Sequence, residues 1–266
     1  MGADRQDRMT DTRIVTAAIL VIGDEILSGR TKDANMAYLA ERLTELGVRL
    51  REARVVPDVP DEIVAAVNAL RGRYDYVFTT GGIGPTHDDI TAECIARAFG
   101  VLLLRHPEAV RRLEAHYEAG QLNEARLRMA NVPEGGTLID NPVSAAPGFR
   151  IGNVHVMAGV PRIMQAMFDG IAPTLTGGDR VLSRTVSCDL GEGMIAAGLG
   201  AIAAEYPDLS IGSYPYFRAG KFGTSLVLRG TDAARLSAAT EAVRVLVVSL
   251  GGTAGLDPGK EPEKTE

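Results

Sequence analysis

A chain of 266 residues and 28.2 kDa with 45% hydrophobic content is globular and long enough for one large or two modest domains. Its net charge of −6 offers no basic excess to release counterions from a phosphate backbone, which argues against broad nucleic-acid binding. The longest apolar run, Ala17 to Ile22, is far short of the ~20 residues a membrane span requires, and residues 1–12 carry no apolar signal-type segment. Two distant cysteines, Cys94 and Cys188, show no metal spacing, so a reduced, cytoplasmic protein is expected.

In chain order, Ile14 to Ile22 reads as a buried strand. Asp33 caps a helix that carries Met36, Leu39, Leu43 and Leu46 on one face and stops at Gly47. Val48 to Val56 is a second strand, ended by Pro57. Ile63, Val64, Val67 and Leu70 mark a second helix, followed by a strand from Tyr74 to Phe78. Strands separated by helices of this length predict a parallel sheet covered on both faces, with ligands beyond the strands' carboxyl ends. Pro107 to Met129 reads as helical, and Thr137 to Val156 as short strands broken by Asn141-Pro142 and Ala146-Pro147-Gly148. Pro161 opens a helix with Met164, Met167 and Phe168 inward, where the methionines are core residues. Arg111-Arg112, Arg126 and Arg128 read as solvated helix faces, with a phosphate contact as the second reading.

Thr176 to Asp179 is the expected domain boundary. Beyond it the pattern is strand (181–189), helix (194–205), strand (210–217), strand (222–230) and helix (233–250), a small α+β module of βαββα order. Tyr214, Tyr216 and Phe217 are expected to be strand packing residues. The domains are therefore 13–176 and 179–250, with flexible tails over 1–12 and 251–266.

One segment carries the chemistry: Thr79-Thr80-Gly81-Gly82-Ile83-Gly84-Pro85-Thr86-His87-Asp88-Asp89-Ile90-Thr91. It joins a strand to the apolar stripe Ile90, Cys94, Ile95, Ala98 of a helix. Glycines let backbone approach a ligand, and a helix N-terminus suits phosphate. No Lys-Ser/Thr follows Gly84, so this is not a Walker loop, and the spacing is not that of the Rossmann fingerprint. A tight turn with an aspartate capping the helix is the bland alternative. Gly23-Asp24-Glu25 and Asp58 stand at two other strand ends, so three ends bring acids and glycines together.

Gly23-Asp24-Glu25-Ile26-Leu27-Ser28-Gly29, the Thr79–Thr91 loop, Asn141-Pro142, Ala146-Pro147-Gly148-Phe149 and Gly159-Val160-Pro161 together resemble the molybdopterin-binding (MoaB/Mog) fold. The nearest branch is the N-terminal region of the competence/damage-inducible protein A (CinA) family, with the related domain of eukaryotic FAD synthases. The resemblance implies a three-layer α/β domain with a parallel-type sheet that binds a phosphorylated pterin or an adenine nucleotide. It also implies that Asp58 and Asp89 serve metal-dependent chemistry at a diphosphate, either adenylyl transfer to molybdopterin or hydrolysis of ADP-ribose. Related domains form dimers or trimers, so a homo-oligomer is expected, with the stripe Leu236, Ala239, Val243, Leu246 and Leu250 as one candidate surface. The amidohydrolase domain of full-length CinA has no counterpart in these residues, and nicotinamide mononucleotide deamidation is not expected. His87-Asp88 stands where relatives often carry a basic residue, which removes a fixed positive charge from the loop.

Diphosphate near Asp24, Glu25, Asp58 and Asp89 meets about 4 kcal/mol of repulsion per like-charge pair at 4 Å and an effective dielectric near 20. A helix dipole returns only about 0.3–2 kcal/mol. A divalent cation resolves the mismatch, magnesium first, with manganese or cobalt as alternatives. Asp89 is the first candidate for metal ligand or base and Asp58 the second. Gly81, Gly82, Gly84, Thr86 and Thr91 are expected at phosphate, and Asp24 and Glu25 at the adenine or pterin end. Gly23, Asn35, Thr80, Pro85, Asp88, Gly159 and Pro161 complete the expected contacts, Asp88 mainly as the helix cap. Three readings stay open: a nucleotide pyrophosphatase, a non-catalytic molybdopterin or nucleotide carrier, and a molybdopterin adenylyltransferase.

Overall fold

The computed structural model describes residues 13–218 and 221–257, without the side chains of Arg218 and Lys221. The expected tail segments 1–12 and 258–266 lie outside the described residues. The chain divides into two compact units at Asp179/Arg180.

The first unit alternates β1 (Val15–Ile22), α1 (Asp24–Leu27), α2 (Asn35–Glu45), β2 (Val48–Val56), α3 (Pro60–Arg71), β3 (Tyr76–Thr80) and α4 (Thr91–Phe99). It continues with β4 (Leu103–Arg105), α5 (Pro107–His116), α6 (Glu124–Leu127), β5 (Asn131–Pro133), β6 (Thr137–Ile139), β7 (Gly148–Ile151), β8 (Val154–Met157) and α7 (Pro161–Ile171). The main sheet has the order β2-β1-β3-β8-β7-β6. Its first four strands are parallel, and β7 runs antiparallel to its neighbours β8 and β6. The sheet is therefore mixed rather than wholly parallel. Only Gly152 and Asn153 separate β7 from β8, with Gly152 at φ 56, and a two-residue hairpin can only reverse the chain.

Side-chain alternation along β1 builds two cores. Ala18, Leu20 and Ile22 face one side with Ile63, Val67 and Leu70 of α3 and Cys94 and Ile95 of α4. Ala17, Ile19 and Val21 face the other with Leu39 and Leu43 of α2 and Met164, Met167 and Phe168 of α7. Each fully buried Leu or Ile contributes roughly 1.5–3 kcal/mol, so β1 is the strand whose side chains the unit can least spare. The methionines are core, as expected. So is Cys94, whose thiol burial pushes up to about 11.

Three segments differ from the sequence reading. The Tyr74–Phe78 strand lies two residues later, because Thr79 and Thr80 pair in register with Val156 and Met157 of β8. Residues 107–129 are not one helix. α5 stops at His116, Gly120 takes φ 84, and Asn123 restarts the chain as α6 by accepting a bond from the Arg126 amide at 3.0 Å. The helix capped by Asp33 begins where expected, with its carboxylate accepting from the Met36 amide at 2.8 Å, but Met36 itself is exposed.

The second unit contains β9 (Leu182–Cys188), α8 (Glu192–Glu205), β10 (Ser210–Arg218), β11 (Lys221–Gly230), α9 (Ala233–Ser249) and β12 (Ala254–Asp257), with sheet order β10-β11-β9-β12, all antiparallel. Residues 254–257 were expected in a flexible tail. They pair instead with β9, and the Thr253 amide beside them donates to Asp189 at 2.7 Å. Leu236, Ala239 and Val243 of α9 are buried in this unit's own core, so that stripe is not a free oligomer surface. Tyr214 and Phe217 are 51% and 62% exposed and lie outside the core, and Phe217 packs across the strands on its register partner Phe222, ring centroids 4.6 Å apart. β10 is an edge strand whose apolar cover includes Ile211 but not these rings.

His155 of β8 lies against Tyr76 and Phe78, 2% exposed, with its Nδ1 unpartnered among the described residues. Burial first, then the charge of Arg150, pushes its pKa down from 6.5 to about 4. The unfolded chain binds a proton there between those values and the native chain does not. This site's contribution is intact above pH 6.5 and is lost as pH falls to about 4, by about 3 kcal/mol. Denaturant melts from pH 7 to pH 4 should show that decline in the wild type and a flatter profile in His155→Phe. Parallel profiles would refute the assignment.

Candidate functional site

The carboxyl ends of β1, β3 and β8 meet at Gly81. Its φ is 104, and a Cβ there would overlap the Ile22 carbonyl oxygen. A Cβ on Gly159 would in turn lie 3.2 Å from the Gly81 Cα. Gly82 follows at φ 67, with no room between it and the Thr91 hydroxyl. The Gly81 amide donates to Met157 O at 3.2 Å, which ties the loop's start to β8.

A cleft of about 490 Å³ opens above this junction. Gly81, Gly82, Gly84, Pro85 and Asp89 of the loop form one wall, and Gly159, Pro161 and Glu25 stand with them. The facing wall comes from Met129, Asn141, Ser144 and Ala146. The size and the mixture of apolar wall with a few polar groups suit a nucleotide-sized ligand. Asp89 is held in place: its Oδ2 accepts from the Thr86 amide at 2.8 Å and the Thr86 hydroxyl at 2.5 Å.

The expected anion cradle is narrower than a helix N-terminus. The amides of Asp89, Ile90 and Thr91 are consumed by the carbonyls of Thr86, Asp88 and Gly82. Thr91, expected at phosphate, is fully buried, and its hydroxyl donates to Gly81 O at 3.0 Å. It braces the loop from behind. Asp88 does not cap α4, which makes no side-chain cap bond, and its side chain is 60% exposed beside His87. Of the loop, the Gly82–Pro85 stretch lines the cleft.

Gly23, Asp24 and Asp58 form a second cluster outside the cleft lining. The Gly23 amide donates to Val56 O at 3.2 Å, and the Asp24 amide donates to Asp58 Oδ2 at 2.9 Å. Burial, joined by the charges of Asp24, Glu25 and Asp88, raises the Asp58 carboxyl above its ordinary range, against the lowering effect of that Asp24 amide. Asn35 begins α2, is buried, and donates through Nδ2 to Gly159 O at 2.7 Å. Thr80 ends β3, 1% exposed, with its hydroxyl unpartnered among the described residues.

Sequence reasoning missed the facing wall and Lys32, and put Arg128 first as a solvated residue and only second at a phosphate. Asn141 organises the 141–146 loop: its Nδ2 donates to Ser144 Oγ and Ala146 O, and its Oδ1 accepts from the amides of Val143 and Ser144. The Asn-Pro pair was the available signal. Arg128, read as a solvated face, donates through Nη1 to Thr86 O at 3.3 Å and has no carboxylate partner among the described residues. It brings to the loop a positive charge that His87-Asp88 does not provide. Lys32 stands beside Asn35 at the other end. A larger groove of about 710 Å³ beside α5 has Glu108, Arg111, Arg112 and Asp140 on its walls, which already pair with one another, so the smaller glycine-lined cleft is the better candidate.

A glycine-lined cleft at the carboxyl ends of a mixed, mostly parallel α/β sheet defines a ligand-binding domain, and comparison places it. Residues 18–177 match the family described as "Probable molybdopterin binding domain", and the chain belongs to that family. Residues 180–249 match the "FAD synthase, middle domain" family. A protein of Archaeoglobus fulgidus is 37% identical over 197 residues, 74% of this chain and 84% of its own length. A Caenorhabditis elegans "Probable FAD synthase" is 35% identical over 258 residues, 87% of this chain and 50% of its own. A "CinA-like protein" of Citrifermentans bemidjiense is 44% identical over 167 residues, 60% of this chain and 40% of its own. The chain thus spans half or less of the last two relatives. The crystal structure of a CinA protein from Thermoplasma acidophilum superposes with a TM-score of 0.58 at 34% identity, over 60% of this chain and 98% of that one. No described helix is long and apolar enough to cross a membrane.

The Asp58 cluster makes a sign-definite prediction. The native state holds the Asp58 proton to higher pH than the unfolded chain does, so its stabilising contribution is present at low pH and lost as pH rises through the folded pKa. At neutral pH the ionised group is a net cost. Asp58→Asn, whose amide oxygen still accepts from Asp24, should melt at or above the wild-type temperature at pH 7, with the difference shrinking near pH 4. A clearly lower melting temperature at pH 7 would contradict this account.

Proposed function

We propose that the protein hydrolyses a nucleotide diphosphate of ADP-ribose type, with a divalent cation, releasing AMP. The observation that carries the reading is Asp89. A carboxylate oriented by Thr86 lies on the wall of a nucleotide-sized cleft, beside the glycines that allow a diphosphate to approach backbone. Asp89 on the cleft wall is the residue that would hold magnesium, manganese or cobalt, with the hard oxygen donors these ions take, whereas Asp58, expected as the second ligand, stands outside that lining. Among the described residues no three His, Cys, Asp or Glu side chains cluster as a ready metal site, so phosphate and water oxygens would complete the shell. Bound there, the ion would supply Lewis-acid polarisation and charge neutralisation at phosphorus.

In this reading the chain's own residues divide the work. Glu25 and the apolar wall orient the ring end, and Gly82 to Pro85 receive the diphosphate. Arg128 offsets charge at Thr86. Asp89 accepts one proton from the attacking water as its oxygen bonds to phosphorus and the bridging P–O bond breaks, giving AMP and ribose 5-phosphate. A second reading, a non-catalytic molybdopterin or nucleotide carrier, is favoured by the sparse metal donor set. The third, adenylyl transfer to molybdopterin, would use the same acids. Self-association is part of the proposal, on surfaces other than the buried α9 stripe.

AMP release from ADP-ribose, FAD and ATP, with and without divalent metal, separates these readings. Asp89→Asn should lower metal-dependent turnover by roughly 10²–10⁴-fold, the range of a lost general base. Its melting temperature should fall only slightly, because Asn still accepts from Thr86 through a weaker neutral bond. Asp88→Asn should retain most activity. Equal turnover in wild type and Asp89→Asn would move the carrier reading to first place, and molybdopterin-dependent use of ATP would favour the third.

A further inference from the structure

The loop between β3 and α4 holds three glycines, and they are not there for one reason. Gly81 and Gly82 take φ 104 and 67, where any side chain is strained. Gly84 is not among the positive-φ positions, so its backbone would accept alanine. What fills its side-chain position is Asp89. A Cβ on Gly84 would stand 2.6 Å from Asp89 Oδ2, 3.0 Å from Oδ1 and 3.1 Å from Cγ, and these three atoms are its nearest neighbours.

The same Oδ2 accepts from the Thr86 amide at 2.8 Å and the Thr86 hydroxyl at 2.5 Å. Thr86 draws the carboxylate over position 84, and the missing side chain lets it lie there. Both bonds fall on Oδ2, which leaves Oδ1 as the oxygen that Thr86 does not occupy. Gly84 and Asp89 stand together on the cleft wall. An alanine at 84 would push Oδ2 back by about 0.8 Å to reach ordinary contact at 3.4 Å, and the far end of a flexible side chain can yield by that much while the backbone stays in place.

We propose that Gly84 is a positioning residue for Asp89: its missing side chain is the seat in which Thr86 fixes the carboxylate on the cleft wall. The inference rests on the role given to Asp89 above and adds the residue that sets where its oxygens stand. Close passage of a diphosphate is the other reason for a glycine on this wall, and the two differ in what an added methyl costs. Blocking the diphosphate weakens binding and raises KM. Displacing the carboxylate lowers kcat and leaves KM nearly unchanged. A shift on the order of 1 Å at a reacting group costs up to roughly 10²-fold.

The test is Gly84→Ala in the full chain, read in two ways. By NMR of the labelled protein, the Thr86 amide should exchange faster with solvent than in wild type. Its resonance should move toward the position it takes in Asp89→Ala, because Oδ2 has left it. In AMP release from ADP-ribose with magnesium, kcat should fall roughly 10–10²-fold with KM little changed. In an Asp89→Asn background the same alanine should cost almost nothing further, as expected of two residues that act as one unit. The melting temperature should fall only slightly, since a loop hydrogen bond contributes little net stability. A Thr86 amide unchanged in exchange and position, a wild-type kcat, a loss confined to KM, or losses that add fully with Asp89→Asn would each overturn the proposal. No AMP release by the wild type would defeat the hydrolase reading instead, and the Thr86 amide would then decide the seat alone.

Discussion

The first unit depends on one close approach. β3 ends against the carboxyl end of β1 and beside the start of the β8–α7 connection, with no space for a side chain at position 81. Interiors are packed densely enough that one extra methyl must displace backbone here, because the opposing atom is the Ile22 carbonyl and not a flexible side chain. The junction determines where the loop leaves the sheet. Thr91 fixes where it re-enters, through its amide to Gly82 O and its hydroxyl to Gly81 O. Between those anchors the segment from Ile83 to Asp89 has to bulge outward, and that bulge is the cleft's wall. Asn35 extends the same junction to α2 by clamping the Gly159 carbonyl.

Charge is arranged around this junction in two groups with different environments. Partial burial, joined by the charges of Asp24, Glu25 and Asp88, raises the Asp58 carboxyl. Asp89 is instead anchored by hydrogen bonds from Thr86, whose carbonyl receives Arg128. Thr86 thus links an acid and a guanidinium through three of its own atoms. A loop held this way presents its carboxylate in a defined orientation without being locked by an ion pair.

Much of this was legible in the chain. β2 has the bounds read from Val48 and Pro57, and the helix stripes through Leu39 and Leu43, Ile63 and Val67, and Cys94 and Ile95 face the cores, because buried faces leave a strong periodic trace. The grouping of glycines and acids at strand ends located the junction. What escaped depends on pairing and tertiary cover. The antiparallel β7–β8 edge is written in Gly152-Asn153, a local signal overshadowed by the parallel pattern before it. β12 has too few residues to show alternation and exists because β9 offers an open edge. In sequence Thr91 is expected at phosphate, and Asn141 reads only as part of an Asn-Pro break between strands. Their roles appear only when Gly81 O and the 141–146 turn are brought beside them.

The central claim is that ligand binds at the Gly81 junction and not in the larger groove beside α5. Backbone amide chemical-shift mapping of the isotopically labelled protein during titration with ADP and magnesium tests it directly. The account predicts shifts concentrated at residues 23–25, 80–89, 141–146 and 159–161, and their loss in Gly81→Ala while the signals of the second unit stay in place. Shifts centred on Glu108, Arg111, Arg112 and His116, or ADP shifts that persist unchanged in Gly81→Ala, would contradict it.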